Sequence, residues 1–136
     1  MKTLVRALNS AIAKAMRRHG LKAEKPEEDF NCIVLSNDCC LLTIQAETES
    51  IYSVSAALAV NSDMKSRFGV DPYRFYIRMS EKIPFFSIKL EDEEIVYTVY
   101  SDLQSEIGAD IDECVLVSKM FNATFEEAVA ELGGRI

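Results

Sequence analysis

Hydrophobic residues in this chain recur at two spacings, and the switches between them outline a fold. From Lys2 to Arg18, Leu4, Val5, Leu8, Ala11, Ile12, Ala15 and Met16 return every three or four positions, the arc of an amphipathic helix. Arg6, Lys14 and Arg17 lie opposite that arc, and Gly20 supplies a C-terminal stop. Glu24 to Asp29, interrupted by Pro26, is a polar connector.

Three strands are predicted next. Phe30 to Leu35 leads into a Ser36-Asn37-Asp38 turn, Cys39 to Ala46 follows, and Ile51 to Val60 comes after a short acidic loop. In the third strand Tyr52, Val54, Ala56, Leu58 and Val60 fall on one face, with Ser53 and Ser55 on the other. The pattern leaves the register of strands two and three open. A four-residue loop sets Ile44 beside Ser53, while one further loop residue sets it beside Val54, and a one-residue slip exchanges the faces.

Asn61 to Val70 reads as a polar linker or a short turn of helix. Asp71-Pro72 has the form of an N-cap followed by proline at the first helical position. Tyr73 to Met79 fits both alternation and a helical stripe; the Asp-Pro start and Pro84 beyond it favour helix. Phe85 to Leu90 and Ile95 to Tyr100 form a hairpin about Glu91-Asp92-Glu93-Glu94. Pairing Leu90 with Ile95, Ile88 with Tyr97 and Phe86 with Val99 collects the apolar pairs on one face. The second face then receives Lys89 with Val96, Ser87 with Thr98, and Phe85 with Tyr100. A last helix starts at Asp110, with Glu113 completing a capping-box-like start. Val117, Met120, Phe121, Ala128, Val129 and Leu132 give it an apolar side. Thr124 and Glu127 repeat the capping pattern, which predicts a break near Asn122, and Gly133-Gly134 ends the helix.

The 136 residues fit a single domain over 1–136, large enough to bury roughly 68% of its unfolded surface without staples. No apolar run approaches the ~20 residues of a membrane span. The N-terminal stretch is broken by Arg6, Asn9, Lys14, Arg17 and Arg18, unlike a secretory leader. A cytoplasmic location is therefore expected, with no membrane partner. The chain total of −7 hides an asymmetry. Lys2, Arg6, Lys14, Arg17, Arg18, Lys22 and Lys25 against Glu24 give residues 1–25 a net +6, which leaves −13 for the rest. Attraction between opposite ends, within one chain or between two, is the expected consequence.

None of the chemistry-bearing residues forms a recognisable catalytic pattern. His19, the single histidine, falls in the last turn of the first helix, where a cation suits the helix dipole. The four cysteines, Cys32, Cys39, Cys40 and Cys114, lack the spacing of a zinc site. Cys39 and Cys40 are adjacent, and on a strand they would point to opposite faces; reduced core cysteines are the simpler account. Asp102 to Glu113 has acids spaced somewhat like a calcium loop, but Gly108 comes one place late and Ala109 replaces the usual branched apolar residue. The five glycines are scattered at element ends and form no phosphate loop. The basic face of the first helix lacks interleaved aromatics, so nucleic acid is not the expected partner. No catalytic, cofactor-binding or metal-binding residue is nominated.

With the elements placed, the chain resembles the YbjN-type family of bacterial sensory transduction regulators. The resemblance rests on the helix ending Ser80-Glu81-Lys82-Ile83, strand Pro84 to Leu90, the acidic turn, strand Ile95 to Tyr100 and the long terminal helix. Where such proteins commonly carry an asparagine-containing apolar stretch, this chain has Met79-Ser80-Glu81-Lys82. The resemblance implies an α+β fold of the type III secretion chaperone kind, in the order α-β-β-β-α-β-β-α. It further implies a non-enzymatic protein-binding or regulatory domain that acts as a homodimer and uses no cofactor. A dedicated secretion chaperone holding an effector segment is the first rival; a small enzyme or a nucleic-acid binder comes after it. The residues nominated for protein contact are Phe85, Val96, Thr98 and Tyr100 on the second sheet face, with Tyr73 and Tyr76 on the middle helix.

Overall fold

The computed structural model describes residues 2–24, 32–48, 50–102 and 107–136, with residues 2–9 described through their backbone alone. Helix α1 (Lys2–His19) is followed by β1 (Lys22–Ala23), β2 (Cys32–Ser36), β3 (Leu41–Ala46), β4 (Ile51–Val60), α2 (Asn61–Ser66), α3 (Pro72–Lys82), β5 (Lys89–Leu90), β6 (Glu94–Asp102) and α4 (Ile107–Glu131). The fold is α+β. Its sheet has the order β1-β2-β3-β4-β6-β5, and every neighbouring pair is antiparallel. The expected succession of helix, strands, helix, hairpin and helix is present, with the two-residue β1 and the short α2 added. The connector at 25–29, Phe30, and the side chains of Leu4, Val5, Arg6 and Leu8 lie outside the described residues.

Alternation puts one face of the sheet into the core. Leu35, Leu42, Ile44, Ala46, Tyr52, Val54 and Ala56 are buried against Ile12 and Ala15 of α1 and Ile107, Ile111, Cys114 and Val115 of α4. Farther along the same side, Ile95 meets Met64, Phe75, Met79, Val117, Phe121, Ala128 and Val129. The register question is settled: Ile44 lies opposite Val54, and Leu42 opposite Ala56. The run in β4 is interrupted by a bulge between Ala57 and Ala59. An extra residue in a strand turns it locally, so Leu58 leaves the simple alternation and packs against both core clusters.

Local capping chemistry explains several boundaries. Asp71 caps α3 by accepting the Arg74 amide at 3.0 Å, with Pro72 following. Gly20 and Gly133 end α1 and α4 at φ 61° and 77°, the left-handed conformation that suits glycine.

The structure corrects four expectations. Cys39 and Cys40 belong to the turn and not to a strand. Asn37 Oδ1 accepts their amides at 2.8 and 2.9 Å, and this side-chain turn delays β3 to Leu41. The β5–β6 hairpin is shorter than its pattern: Leu90 faces Ile95 and Lys89 faces Val96, but the pairs Ile88–Tyr97, Phe86–Val99 and Phe85–Tyr100 do not form. After α3, Phe86 N–H donates to Ile83 and Ile88 N–H to Phe86. These tight turns keep residues 84–88 away from the ladder. Helix α4 starts at Ile107, three residues early, because burying Ile107 and Ile111 on one face favours a helical turn from Ile107 onward. It also runs unbroken past Asn122. The Thr124 hydroxyl lies 3.1 Å from the Met120 carbonyl and 3.2 Å from that of Phe121, back-bonding within the helix in place of a new cap.

Candidate interaction surface

Among the described residues, the helices pack on one face of the sheet and leave the other without a helix. Alternation places Cys32, Val34 and Ser36 of β2, Thr43 and Gln45 of β3, Ser53, Ser55 and Ala57 of β4, and Val96, Thr98 and Tyr100 of β6 on that face. Among the described residues, neither core cluster draws a member from it. Its centre is neutral: the Ser55 and Thr98 hydroxyls hydrogen-bond across the β4–β6 pair at 2.9 Å. Ser53 and Val96 are buried through neighbours within the layer. Ser53 lies between Gln45 and Tyr100 and donates to Glu47 at 2.8 Å. Val96 lies between Ala57 and Lys89, where the lysine stem can cover it.

The nominated residues therefore separate. Val96, Thr98 and Tyr100 share the open face, with Tyr100 62% exposed at its margin. Phe85 is 86% exposed but stands in the turn after α3, without a strand partner. Beyond the two residues paired with β5, β6 has no strand neighbour on that side from Tyr97 to Ser101 among the described residues. Tyr73 is 61% exposed on α3 and lies near Leu90, Glu91 and Asp92. That is the opposite end of β6 from Tyr100, roughly 16 Å away at strand spacing. Tyr76 is half-buried, and its hydroxyl donates to the Ile88 carbonyl at 3.1 Å; it helps hold the turn.

The sequence reading missed a set of carboxylates on the first two turns of α4. Asp110 Oδ2 accepts the hydroxyls of Tyr52 and Ser101, each at 2.8 Å. Glu113 accepts the Tyr97 hydroxyl at 2.8 Å. Asp112 faces α1, with Arg18 at 3.0 Å and His19 Nε2 at 2.5 Å. Desolvation, followed by these hydrogen bonds to carboxylates, raises the tyrosine pKa values above their ordinary range. For Asp112, desolvation pulls upward, but the His19 and Arg18 bonds outweigh it and hold the carboxyl below its usual value. Burial pushes the Cys114 thiol to about 12 and also raises Cys40, so both are poor nucleophiles. The signal was available: Asp110 and Glu113 flank Ile111 and Cys114 on the side that faces the sheet. Among the described residues, no group of three or more potential ligands could hold a metal ion, and no helix is long and apolar enough to cross a membrane.

No family model matches the chain, and no curated protein does. Among solved structures it is similar to an uncharacterized protein from Methanothermobacter thermautotrophicus, at 13% identity and a TM-score of 0.49, over 90% of this chain and 96% of that one.

Proposed function

We propose that this domain works by binding protein, as a regulatory module that pairs with a second copy through the open margin of its sheet. It is read as a remote relative of the YbjN-type regulators, with the secretion-chaperone kind of α+β fold, acting in the cytoplasm without a cofactor. The observation that carries the reading is the exposed Tyr100 at the margin of the open face, on the stretch of β6 from Tyr97 to Ser101 that has no described strand neighbour on its outer side, with Phe85 exposed separately in the turn after α3. Exposed aromatics beside a neutral face are the composition of a contact surface, and an unpaired strand invites another strand. A non-catalytic role is supported by where the titrating groups are spent. Asp112, Tyr52, Tyr97, Lys82 and Glu131 all have shifted pKa values and are all tied up in bonds to other elements. Replacing Phe85 and Tyr100 together by serine should convert the dimer to a monomer in sedimentation while leaving circular dichroism unchanged. A wild-type chain that is monomeric at high concentration would remove the dimer, and unfolding of the variant would reassign both rings to the core.

A further inference from the structure

We propose that a notch in the sheet beside β4 receives an extended segment of a partner protein, apolar and basic in alternation, which adds to β4 as a short strand. Strand β4 pairs with β6 as far as Val60, but its pairing with β3 ends at Leu42 opposite Ala56. From Ala57 to Val60, β4 therefore has a strand neighbour on one side only among the described residues. Four strand residues span about 13 Å. The bulge at Leu58 marks where the β3 ladder stops, as bulges commonly do. The outer edges of the sheet are blunted differently: β1 and β5 are two residues each and carry Lys22 and Lys89. Ala57-Leu58-Ala59-Val60 contains neither lysine nor proline, the residues that guard an edge against pairing.

A hollow of about 280 Å³ opens along the same four residues, lined also by Leu41, Asp63, Met64, Phe68 and Phe125. Leu41 and Val60 are 41% and 46% exposed at its mouth. The volume falls just below the ~300 Å³ at which small-molecule pockets begin, and it suits one large side chain carried by a backbone. Main-chain bonds from the strand edge with a side-chain pocket beside it are the two elements of strand addition.

Charge selects the occupant. Asp63 is the one charged residue of the lining, and it forms no ion pair among the described residues. Beyond residue 25 the chain carries −13, so a lysine or arginine flanking the apolar residue is favoured. A second copy fits this notch poorly, because the part of its own sheet margin without a described strand neighbour, Thr98-Val99-Tyr100-Ser101, carries no basic residue. The notch is separate from the Phe85–Tyr100 margin, and the proposal does not depend on dimerisation there.

The probe is a labelled heptapeptide alternating lysine with valine and leucine, titrated by fluorescence anisotropy against the full chain. Saturable binding is expected, with slowed amide exchange from Ala57 to Val60. Binding should weaken by ~10-fold or more when alternate peptide amides are methylated, and likewise in Val60→Glu. Asp63→Lys should reverse the preference toward a peptide with glutamate in place of lysine. Both positions are exposed, so circular dichroism should confirm folded variants; Leu41→Glu is the substitute if either fails. Absence of saturable binding overturns the proposal, as does binding indifferent to methylation and to Val60→Glu. If Val60→Glu instead lowers the mass of the unliganded chain in sedimentation, a second copy fills the notch and the proposal is wrong. The Phe85/Tyr100 double variant should bind the peptide normally, which separates the two surfaces.

Discussion

The two ends of α4 are attached to the rest of the molecule by different physics. Its first two turns lie over aliphatic side chains and are tied by carboxylates: Asp110 to Tyr52 and Ser101, Asp112 to His19 and Arg18, and Glu113 to Tyr97. Its last turns are packed by rings. Phe75 meets Phe121 and Phe125 edge-on at 5.9 and 5.2 Å between centroids, and Phe68 meets Phe125 at 5.0 Å. Ion pairs at that end, from Arg78 and Lys82 to Glu131 and from Lys82 to Glu127, stay at the surface. One helix thus relies on directional bonds from its own carboxylates to the sheet and α1 at its start, and farther along on shape and area, with surface ion pairs added. The polar end should respond to pH and to removal of a single oxygen, the aromatic end to loss of volume.

The largest expected effect tests the aromatic end. Phe121 is fully buried between Phe75 and Phe125. Phe121→Ala should cost about 3–5 kcal/mol, from lost transfer energy and the cavity left behind, read as a lower urea midpoint. The loss should be the same at pH 5 and pH 8, because the rings packed on Phe121, those of Phe75 and Phe125, carry no ionisable group. A loss that grows toward acid would tie this end to the carboxylates and erase the contrast.

Next comes the polar end. Tyr52 is buried, yet its hydroxyl reaches Asp110. Tyr52→Phe leaves Ser101 on that carboxylate and should cost about 1.5–3 kcal/mol at neutral pH, the range for hydrogen bonds to charged groups. The raised folded pKa of Tyr52 gives a second readout. Both states hold the proton below the ordinary tyrosine value near ~10; above it the unfolded chain ionises first, so stability falls as pH rises toward the folded value. Tyr52→Phe should flatten that alkaline decline, and Tyr97→Phe should do the same through Glu113. An unchanged slope in both variants would show that these hydroxyls do not couple to folding.

Much of this frame was legible from spacing alone, and the exceptions share a cause. Ile51 to Val60 read as a strand and is one, and Asp71-Pro72 read as a helix start and caps α3, because such signals act over one or two turns of chain. The turn at Asn37 was longer than its pattern because a side-chain oxygen captured two amides. The bulge at Leu58 depends on contacts to both core clusters, which hydrophobicity along the chain does not encode. Phe85 seemed to have a partner in Tyr100 because alternation continued past the point where Ile83 and Phe86 fold the backbone back. Of the nominated contact residues, alternation grouped Val96, Thr98 and Tyr100 correctly. It could not measure the distance from Tyr73, which depends on how α3 docks.

The smallest effect concerns the tie between α1 and α4. Asp112 has its side chain 46% exposed, so solvent screens its bonds to Arg18 and His19, and Asp112→Asn should cost only ~0.5–1 kcal/mol at neutral pH. Its sign with pH is nevertheless definite. The folded pKa lies below the ordinary carboxylate value, so the contribution is complete above that value and is lost as pH falls through the folded one. Wild type and Asp112→Asn should therefore converge in urea midpoint on acidification, while Phe121→Ala stays displaced from both. Raised salt at neutral pH should narrow the same gap, since a half-exposed pair is screened. If the gap persists at low pH, Asp112 matters to α4 through its place in the helix, and apolar contacts such as those of Ile12 and Ala15 hold α1 in place of the ion pair.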